Sequence, residues 1–439
     1  MEIVFSEAMY RHLDRMLAAD EERGAALLLQ HDPISNRFLV QEAVIAEDGD
    51  RLHASATEIT FAPQFLVRVT RLAHSSARSL ALLHSHPSGF VEFSGTDDQT
   101  ETGLMEFLRD RNPTGFNFSL VLCDGRILAR RVGTDERLPV RIVGPQVTLM
   151  HERAEAPDIE QYDRQIRAFG SAGQKIVSRL TVALVGLGGT GSVAAQQLAH
   201  LGVQKFVLID PDVLEETNLN RVVGTTPGSA GRAKIDTAAA LIMSIQPEAS
   251  VQRVQRSVTA KGAIDALRTV DCVFMCTDSH VSRALLSEFS YKYFVPAFDI
   301  GVAINAREGK VEAVTGRTQM VGPGLPCLWC SQVLNADRIR EELMTEQQRA
   351  ADPYFNEGGE RQPAVISINS TMASMAVTMF LGAFTAIPVE ARWQSYDALS
   401  GKVRPLSAKS DTACGVCGEE GVLGCGPSKD LSLADREGR

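Results

Sequence analysis

His84 and His86 stand two residues apart at the end of an apolar run, Ser79 to Leu83, and Asp97 opens the helix-like segment that follows. Side chains two apart on a strand point the same way, so both imidazoles share one face. A carboxylate at the start of the next helix can close on them. Three protein ligands with one position left open is the arrangement of a catalytic zinc rather than a structural one. Such an ion lowers the pKa of a bound water, and a nearby carboxylate takes the proton. A second chemistry surrounds Gly186, Gly188, Gly189 and Gly191, which allow a tight turn between an apolar strand and a helix. Unpaired N–H groups at that helix N-terminus attract phosphate, and Asp210, at the end of the next strand, can accept from ribose hydroxyls. A third is carried by Cys327-x-x-Cys330 and Cys414-x-x-Cys417. Each pair is a two-thiolate knuckle, and the two together complete a closed tetrahedral, structural zinc site.

Positioning these groups requires alternating strands and helices. Over residues 1 to about 145 the pattern predicts a helix at Phe5–Ala19, strands at Gly24–Gln30 and Arg37–Ala46, a helix at Ala62–Ala77, and the strand Ser79–Leu83. Ser94 is placed to cap a helix ending near Arg111. Residues Val143 to Ile159 lack periodicity and mark a boundary near 152. Beyond it come a helix opened by Gln161–Ile166, strand Thr181–Val185, helix Ser192–Leu201, strand Phe206–Ile209 and buried strand Asp271–Cys276. Asn335–Gln362 reads as a polar loop, followed by a buried helix, Pro363–Phe384.

The chain has 439 residues, 44% hydrophobic and 22% charged, so two or three globular domains are expected. A net charge of −10 argues against broad binding to nucleic acid or anionic membranes. Neither a leader nor an uninterrupted apolar stretch of bilayer length is found, which predicts a cytoplasmic protein. Cys123, Cys272 and Cys276 lie in apolar strand patterns and read as core; Cys425 lies in a tail that reads as disordered.

Gly186-x-Gly188-x-x-Gly191 with Asp210 also fits a dinucleotide fingerprint, and a nicotinamide dehydrogenase is one alternative. The residues that follow favour ATP. Asn218 to Arg221 lie past the second strand, Lys234 opens the next helix, and Thr277-Asp278 end the buried strand. Arg221 and Lys234 would neutralise charge growing on phosphates, and Asp278 could hold magnesium. Hydride transfer needs no such cluster.

His84-x-His86-Pro87, six residues, Ser94, two residues and Asp97, with Glu21-x-x-Gly24 upstream, resembles the JAB/JAMM (MPN-fold) metalloprotease family. The resemblance implies that His84, His86 and Asp97 bind zinc, that Ser94 supports the oxyanion and that Glu21 is the general base. Glu22 stands beside Glu21, and strand alternation lets only one of them face inward. Tyr162 to Gln165, Gly186 to Ser192, Asp210-x-Asp212, Asn218 to Arg221, Lys234 and Thr277-Asp278 together resemble the ThiF/MoeB/HesA family, the adenylating core of ubiquitin-activating enzymes. That resemblance implies that Arg164, Asp210, Asp212, Asn218, Arg221, Lys234 and Asp278 serve ATP or magnesium, with Arg164 reaching the partner's site in a homodimer. It also supports a four-cysteine zinc with a long gap between knuckles.

The fold expected is α/β: an N-terminal α+β MPN (cytidine-deaminase-like) domain at 1–150, a linker at 151–160, and a Rossmann-like doubly wound domain at 161–418. The second sheet should be mainly parallel with a C-terminal antiparallel extension, and 419–439 a flexible tail. The function expected is bifunctional. A zinc peptidase trims or releases a ubiquitin-like protein, and an adenylating domain activates its C-terminal carboxylate with ATP and magnesium. A conjugating enzyme is a further expected partner. Ubiquitin-type activators usually carry a thioester cysteine between the knuckles, and none lies between Cys330 and Cys414. That keeps a sulfur-carrier reading open, in which the tail becomes a thiocarboxylate for cofactor or cysteine synthesis. A non-enzymatic scaffold gripping a ubiquitin-like partner is a third reading.

Overall fold

The computed structural model describes residues 1–87, 89–113, 115–150, 160–307, 310–345, 347–348 and 363–435. Nearly all of the expected linker, and most of the expected polar loop after Leu343, fall outside them. The chain forms two compact units. The first comprises Met1–Ala154 with Lys292–Phe294 and Leu423–Lys429; the second comprises Glu155–Tyr291, Val295–Val422 and Asp430–Arg439.

The first unit opens with a strand that the periodicity missed, β1 (Glu2–Ser6), because its apolar residues run straight into α1 (Glu7–Met16). Ser6 ends the strand and caps the helix by accepting from Met9 N–H at 3.2 Å. Then follow β2 (Gly24–Asp32), β3 (Arg37–Ile45), the hairpin β4 (Arg51–Ala54) and β5 (Ile59–Phe61), and α2 (Pro63–Ser75). Next come β6 (Ser79–Ser85), α3 (Gly95–Arg111), β7 (Asn117–Cys123) and β8 (Arg126–Arg131). Short strands β9 (Arg137–Leu138), β10 (Val140–Val143) and β11 (Val147–Met150) complete the unit. Nine strands form one mixed sheet in the order β11-β10-β1-β3-β2-β6-β7-β8-β9.

Alternation along β2 separates two cores: Ala25, Leu27 and Leu29 join one buried cluster, while Ala26 and Leu28 join the other with Phe65, Val69 and Leu108. On β6, Leu80 and Leu82 belong to that second cluster. His84 shares their parity, so it emerges on the face that α2 and α3 cover.

The second unit contains α4 (Asp163–Arg179), β12 (Thr181–Val185), α5 (Gly189–His200), β13 (Lys205–Ile209) and α6 (Lys234–Ile245). It continues with β14 (Ser250–Val254), α7 (Lys261–Leu267), β15 (Cys272–Met275), α8 (His280–Tyr293), β16 (Ala297–Arg307) and β17 (Lys310–Val321). The last elements are α9 (Ala336–Leu343), α10 (Ile366–Phe384), β18 (Trp393–Asp397) and β19 (Lys402–Pro405). The sheet order is β14-β13-β12-β15-β16-β17-β18-β19. Pairs from β14 through β16 are parallel and those from β16 to β19 antiparallel, as expected from the sequence. The order reverses between β12 and β15, and such a switch point opens a crevice at the strands' carboxyl ends.

Two expectations are corrected. Part of the segment read as loop is helical: α9 is capped by Asn335, which accepts from Arg338 N–H at 3.0 Å. The helix Ile366–Phe384 is long and apolar enough to cross a membrane by length and composition, although Ser367, Asn369, Ser370 and Thr371 interrupt its apolar run. Half of it is buried, and it packs on α5, β16 and β17 as a core helix does. The tail expected to be flexible is structured over its described part. Leu431 is buried, Ser432 N–H donates to Glu288 at 3.1 Å, and Asp435 N–H donates to the Thr259 carbonyl at 2.9 Å.

Candidate functional site

In the first unit, β6 delivers His84 and the residues just past it deliver His86, both buried. The next helix is set by a reciprocal cap: Asp97 N–H donates to Ser94 Oγ at 3.2 Å, and Ser94 N–H donates to an Asp97 carboxylate oxygen at 2.6 Å. This capping box turns Asp97 toward the imidazoles, its oxygens lying 3.0 Å from His84 Nε2 and 3.6 Å from His86 Nε2. The two Nε2 atoms are 3.1 Å apart. His86 Nδ1 donates to the Phe90 carbonyl at 2.8 Å, so Nε2 is the ring nitrogen that a metal would take once its proton is lost. A tetrahedral zinc with bonds of about 2 Å needs donors about 3.3 Å apart. The three residues fit that ion.

The carboxylate beside them is Glu22, not Glu21. Glu22 is buried with an oxygen 3.7 Å from His86 Nε2, whereas Glu21 turns outward to Arg51 at 3.0 Å. The inward choice follows from pairing: Glu22 N–H donates to the Ser55 carbonyl, and Gly24 lies opposite His84. Burial pushes the Glu22 carboxyl above its ordinary value, with Asp97 and Glu58 adding to the rise and the imidazoles opposing it. Burial works the same way on Asp97, but hydrogen bonds from His84, His86 and the Ser94 N–H hold it far below the carboxylate range. Burial alone would lower His86; its bonds to Asp97 and Phe90 leave it raised. Ser94 Oγ is engaged as the helix cap, accepting from Asp97 N–H.

In the second unit, a cavity of about 520 Å³ opens at the switch point. Gly186, Gly188 and Gly189 form its floor with Asp210, Asp212, Arg221, Lys234 and Asp278 around it. Asp210 accepts from Leu187 N–H at 2.6 Å and Asp212 N–H at 2.8 Å, and burial still holds its carboxyl above the usual value. Lys234 Nζ is 2.7 Å from Asp212. Three expected residues are elsewhere. Asn218 accepts from Glu215 N–H at 3.2 Å and closes a turn beside Arg221. Arg164 is exposed on α4 and does not line the cavity. Gly191 is buried in α5 against the Gly186 carbonyl and does not line the cavity.

The reading missed Arg256, Arg283 and Asn369, all of which line the cavity. Arg283 binds buried Asp299 at 3.0 Å and reaches the Asp278 carbonyl at 3.4 Å, so it braces the loop carrying Asp278. Cys276, read as core, lines the cavity as well; burial pushes its thiol up to about 12, against the pull of a Thr190 hydrogen bond.

The glycines are not equivalent. Gly186 has φ +87°, and an added Cβ would stand 2.7 Å from the Cys276 carbonyl. A Cβ on Gly191 would collide with the Gly186 carbonyl, while one on Gly188 meets open space. Gly191→Ala is therefore expected to destabilise the second unit by about 1–3 kcal/mol or more. Gly188→Ala should stay within about 1 kcal/mol in the same thermal-unfolding measurement.

Cys327, Cys330, Cys414 and Cys417 bring their sulfurs within 4.8 Å of one another. Cys327 lies 3.6 Å from Cys414 and Cys330 lies 3.5 Å from Cys417, near the roughly 3.8 Å edge of a zinc–thiolate tetrahedron with bonds of about 2.3 Å. Burial raises Cys327 and Cys330. Burial would raise Cys414 too, but N–H groups of Cys417 and Val416 bring it down to about 7. The donor set fits a closed structural zinc.

Comparison with known proteins agrees with the second unit. The molybdopterin-synthase adenylyltransferase of Escherichia coli is 28% identical over 270 residues, 61% of this chain and all of that protein. The SAMP-activating enzyme E1 of Haloferax volcanii is 26% identical over 271 residues, covering 61% and 92%. The sulfur carrier protein adenylyltransferase of Thermus thermophilus is 27% identical over 265 residues, covering 60% and 92%. The ThiF family model matches residues 162–416, a span that holds the glycine turn, the residues lining the cavity and three of the four knuckle cysteines. On that match and the fold that carries it, the chain belongs to the ThiF family.

Proposed function

We propose that the second unit adenylates the C-terminal carboxylate of a ubiquitin-like or sulfur-carrier protein, and that the first is a zinc peptidase acting on tails of the same kind. The observation that carries the adenylation reading is one cavity in which a glycine turn at a helix N-terminus meets Arg221, Lys234 and Asp278. A carboxylate oxygen attacks the α-phosphorus of ATP, the new O–P bond forms, and the bond to the bridging oxygen breaks as pyrophosphate leaves. The α5 N–H groups, Arg221 and Lys234 offset the charge that moves onto the leaving group. Asp278 would hold magnesium, which neutralises phosphate charge when bound. In the homodimer this reading implies, Arg164, exposed on α4, serves the partner's cavity.

The peptidase reading is supported by the cluster of His84, His86 and buried Glu22, with an Asp97 oxygen 3.0 Å from His84. Zinc held there would acidify water and polarise a carbonyl. Glu22 is placed to take the water's proton and deliver it to the leaving amine. Both activities would operate in the cytoplasm on one tail, so covalent linkage raises effective concentration between steps.

Sulfur-carrier activation is the second reading. No cysteine lies between Cys330 and Cys414, and Cys276, held near 12, is a protonated thiol at neutral pH. The adenylate then passes to an external thiol, amine or sulfide. The test is ATP–pyrophosphate exchange with carrier proteins ending in a free glycine tail. Exchange that disappears with a C-terminally amidated carrier supports adenylation; nicotinamide binding without exchange overturns it. Supplying sulfide or a lysine peptide and weighing the product then separates thiocarboxylate formation from conjugation.

A further inference from the structure

Leu104, Phe107 and Leu108 pack the later turns of α3 against the core, but the first two turns, which carry Asp97, have no apolar anchor. Along α3 only Glu101 and Leu108 are buried, and Leu108 lies near the far end. The N-terminal half therefore lacks the apolar stripe that normally anchors a helix to a sheet. What grips it is Arg130, a buried residue of β8. Its guanidinium lies 2.7 Å from Asp98 and 2.7 Å from Glu101. The same group stacks over the Phe93 ring at 3.9 Å from its centre. Glu101 is held on its other side by Gly133 N–H at 3.5 Å.

These contacts bracket the cap. Phe93 immediately precedes Ser94, Asp98 immediately follows Asp97, and Glu101 lies one turn on. Arg130 thus contacts the chain on both sides of the capping box that aims Asp97 at His84 and His86, with Arg137 also over the Phe93 ring at 4.7 Å. Arg130 Nε donates to Glu101 at 2.8 Å, and a guanidinium suits this task because it can pair its charge with carboxylates while stacking an aromatic ring on its face.

We propose that Arg130 is a positioning residue for the metal centre of the first unit, holding Asp97 in ligating geometry through Asp98, Glu101 and Phe93. The proposal rests on the zinc-peptidase reading. Groups that orient metal ligands typically contribute roughly 10–100-fold to metal affinity, and a loss in that range is expected for Arg130→Met.

The experiment uses the full chain and zinc alone as probe. Zinc in the first unit is titrated against a chromophoric chelator, with the four-cysteine site followed separately by its thiolate–cobalt absorption after metal exchange. Wild type should bind at the histidine site, Arg130→Met should bind 10–100-fold more weakly, and Arg130→Lys should recover part of the loss. Glu101→Gln combined with Asp98→Asn should reproduce the weakening. In an Asp97→Ala background, Arg130→Met should change zinc affinity no further. A merely structural role would lower the apo unfolding temperature yet leave zinc affinity intact, or weaken affinity further without Asp97; either result overturns the proposal. Wild type that binds no zinc at the histidines overturns the peptidase reading and this proposal together. Zinc binding equal in wild type and Arg130→Met overturns this proposal alone.

Discussion

Glu22→Gln is expected to lower hydrolysis of a C-terminally extended carrier by roughly 10²–10⁴-fold, the range for removing a positioned general base. Zinc content and ATP–pyrophosphate exchange should stay at wild-type levels. Glutamine keeps the shape and the buried position but cannot accept a proton. Glu21→Gln is the contrasting variant. Its carboxylate is half exposed and paired with Arg51 at 3.0 Å, so cleavage should remain within about twofold of wild type. Reversed results would show that the chain before β2 shifts by one residue when substrate binds. Loss of cleavage in both variants together with loss of zinc would show that neither acts as base. The assay needs only a carrier with a short peptide appended and mass detection of the trimmed product.

Lys234→Met should lower pyrophosphate exchange by roughly 10²–10³-fold, as removal of one charge-stabilising group does at other transferring centres. Peptide cleavage and the zinc of the first unit should be untouched. The Lys234 ammonium lies against Asp212 at 2.7 Å at the cavity edge. Removing it does two things: it withdraws a cation from the phosphates and leaves an uncompensated carboxylate facing them. Adding Asp212→Asn separates the two. Partial recovery of exchange in the double variant assigns part of the loss to repulsion from Asp212. No recovery assigns all of it to the missing cation. An unchanged rate in Lys234→Met would remove this residue from the reaction and with it much of the case for phosphate chemistry.

Short-range chemistry was readable from the chain, and long-range assembly was not. His84, His86, Ser94 and Asp97 lie within one strand–loop–helix passage, so strand parity and a cap rule suffice to bring them together. The glycine turn, Asp210 and Asp278 each sit at a strand's carboxyl end, where a parallel sheet gathers its loops. The two cysteine knuckles are local pairs whose meeting needed only one tertiary contact. Glu22 was ambiguous because parity depends on where β2 begins, and the bond from Glu22 N–H to Ser55 that fixes this comes from a distant hairpin. Arg256, Arg283 and Asn369 carried no motif at all. They reach the cavity from a loop after β14, from α8 and from α10, and arginines are ordinarily solvated. Asn218 is a motif residue assigned to the ligand; in the structure it lies outside the cavity lining and its side-chain oxygen closes a turn.

The four sulfurs have a consequence for how this protein can change. They join Cys330 to Cys414, and the chain between them carries Asn369, Pro363 and Ala364 of the cavity wall. A metal bridge there would fasten both ends of that excursion to one point. Lengthening a closed loop costs only about 0.6 kcal/mol per doubling. Insertions in the polar stretch of the excursion would thus leave its anchorage almost unaltered, whereas α10, which packs on α5, β16 and β17, ties the cavity wall it carries to the glycine turn.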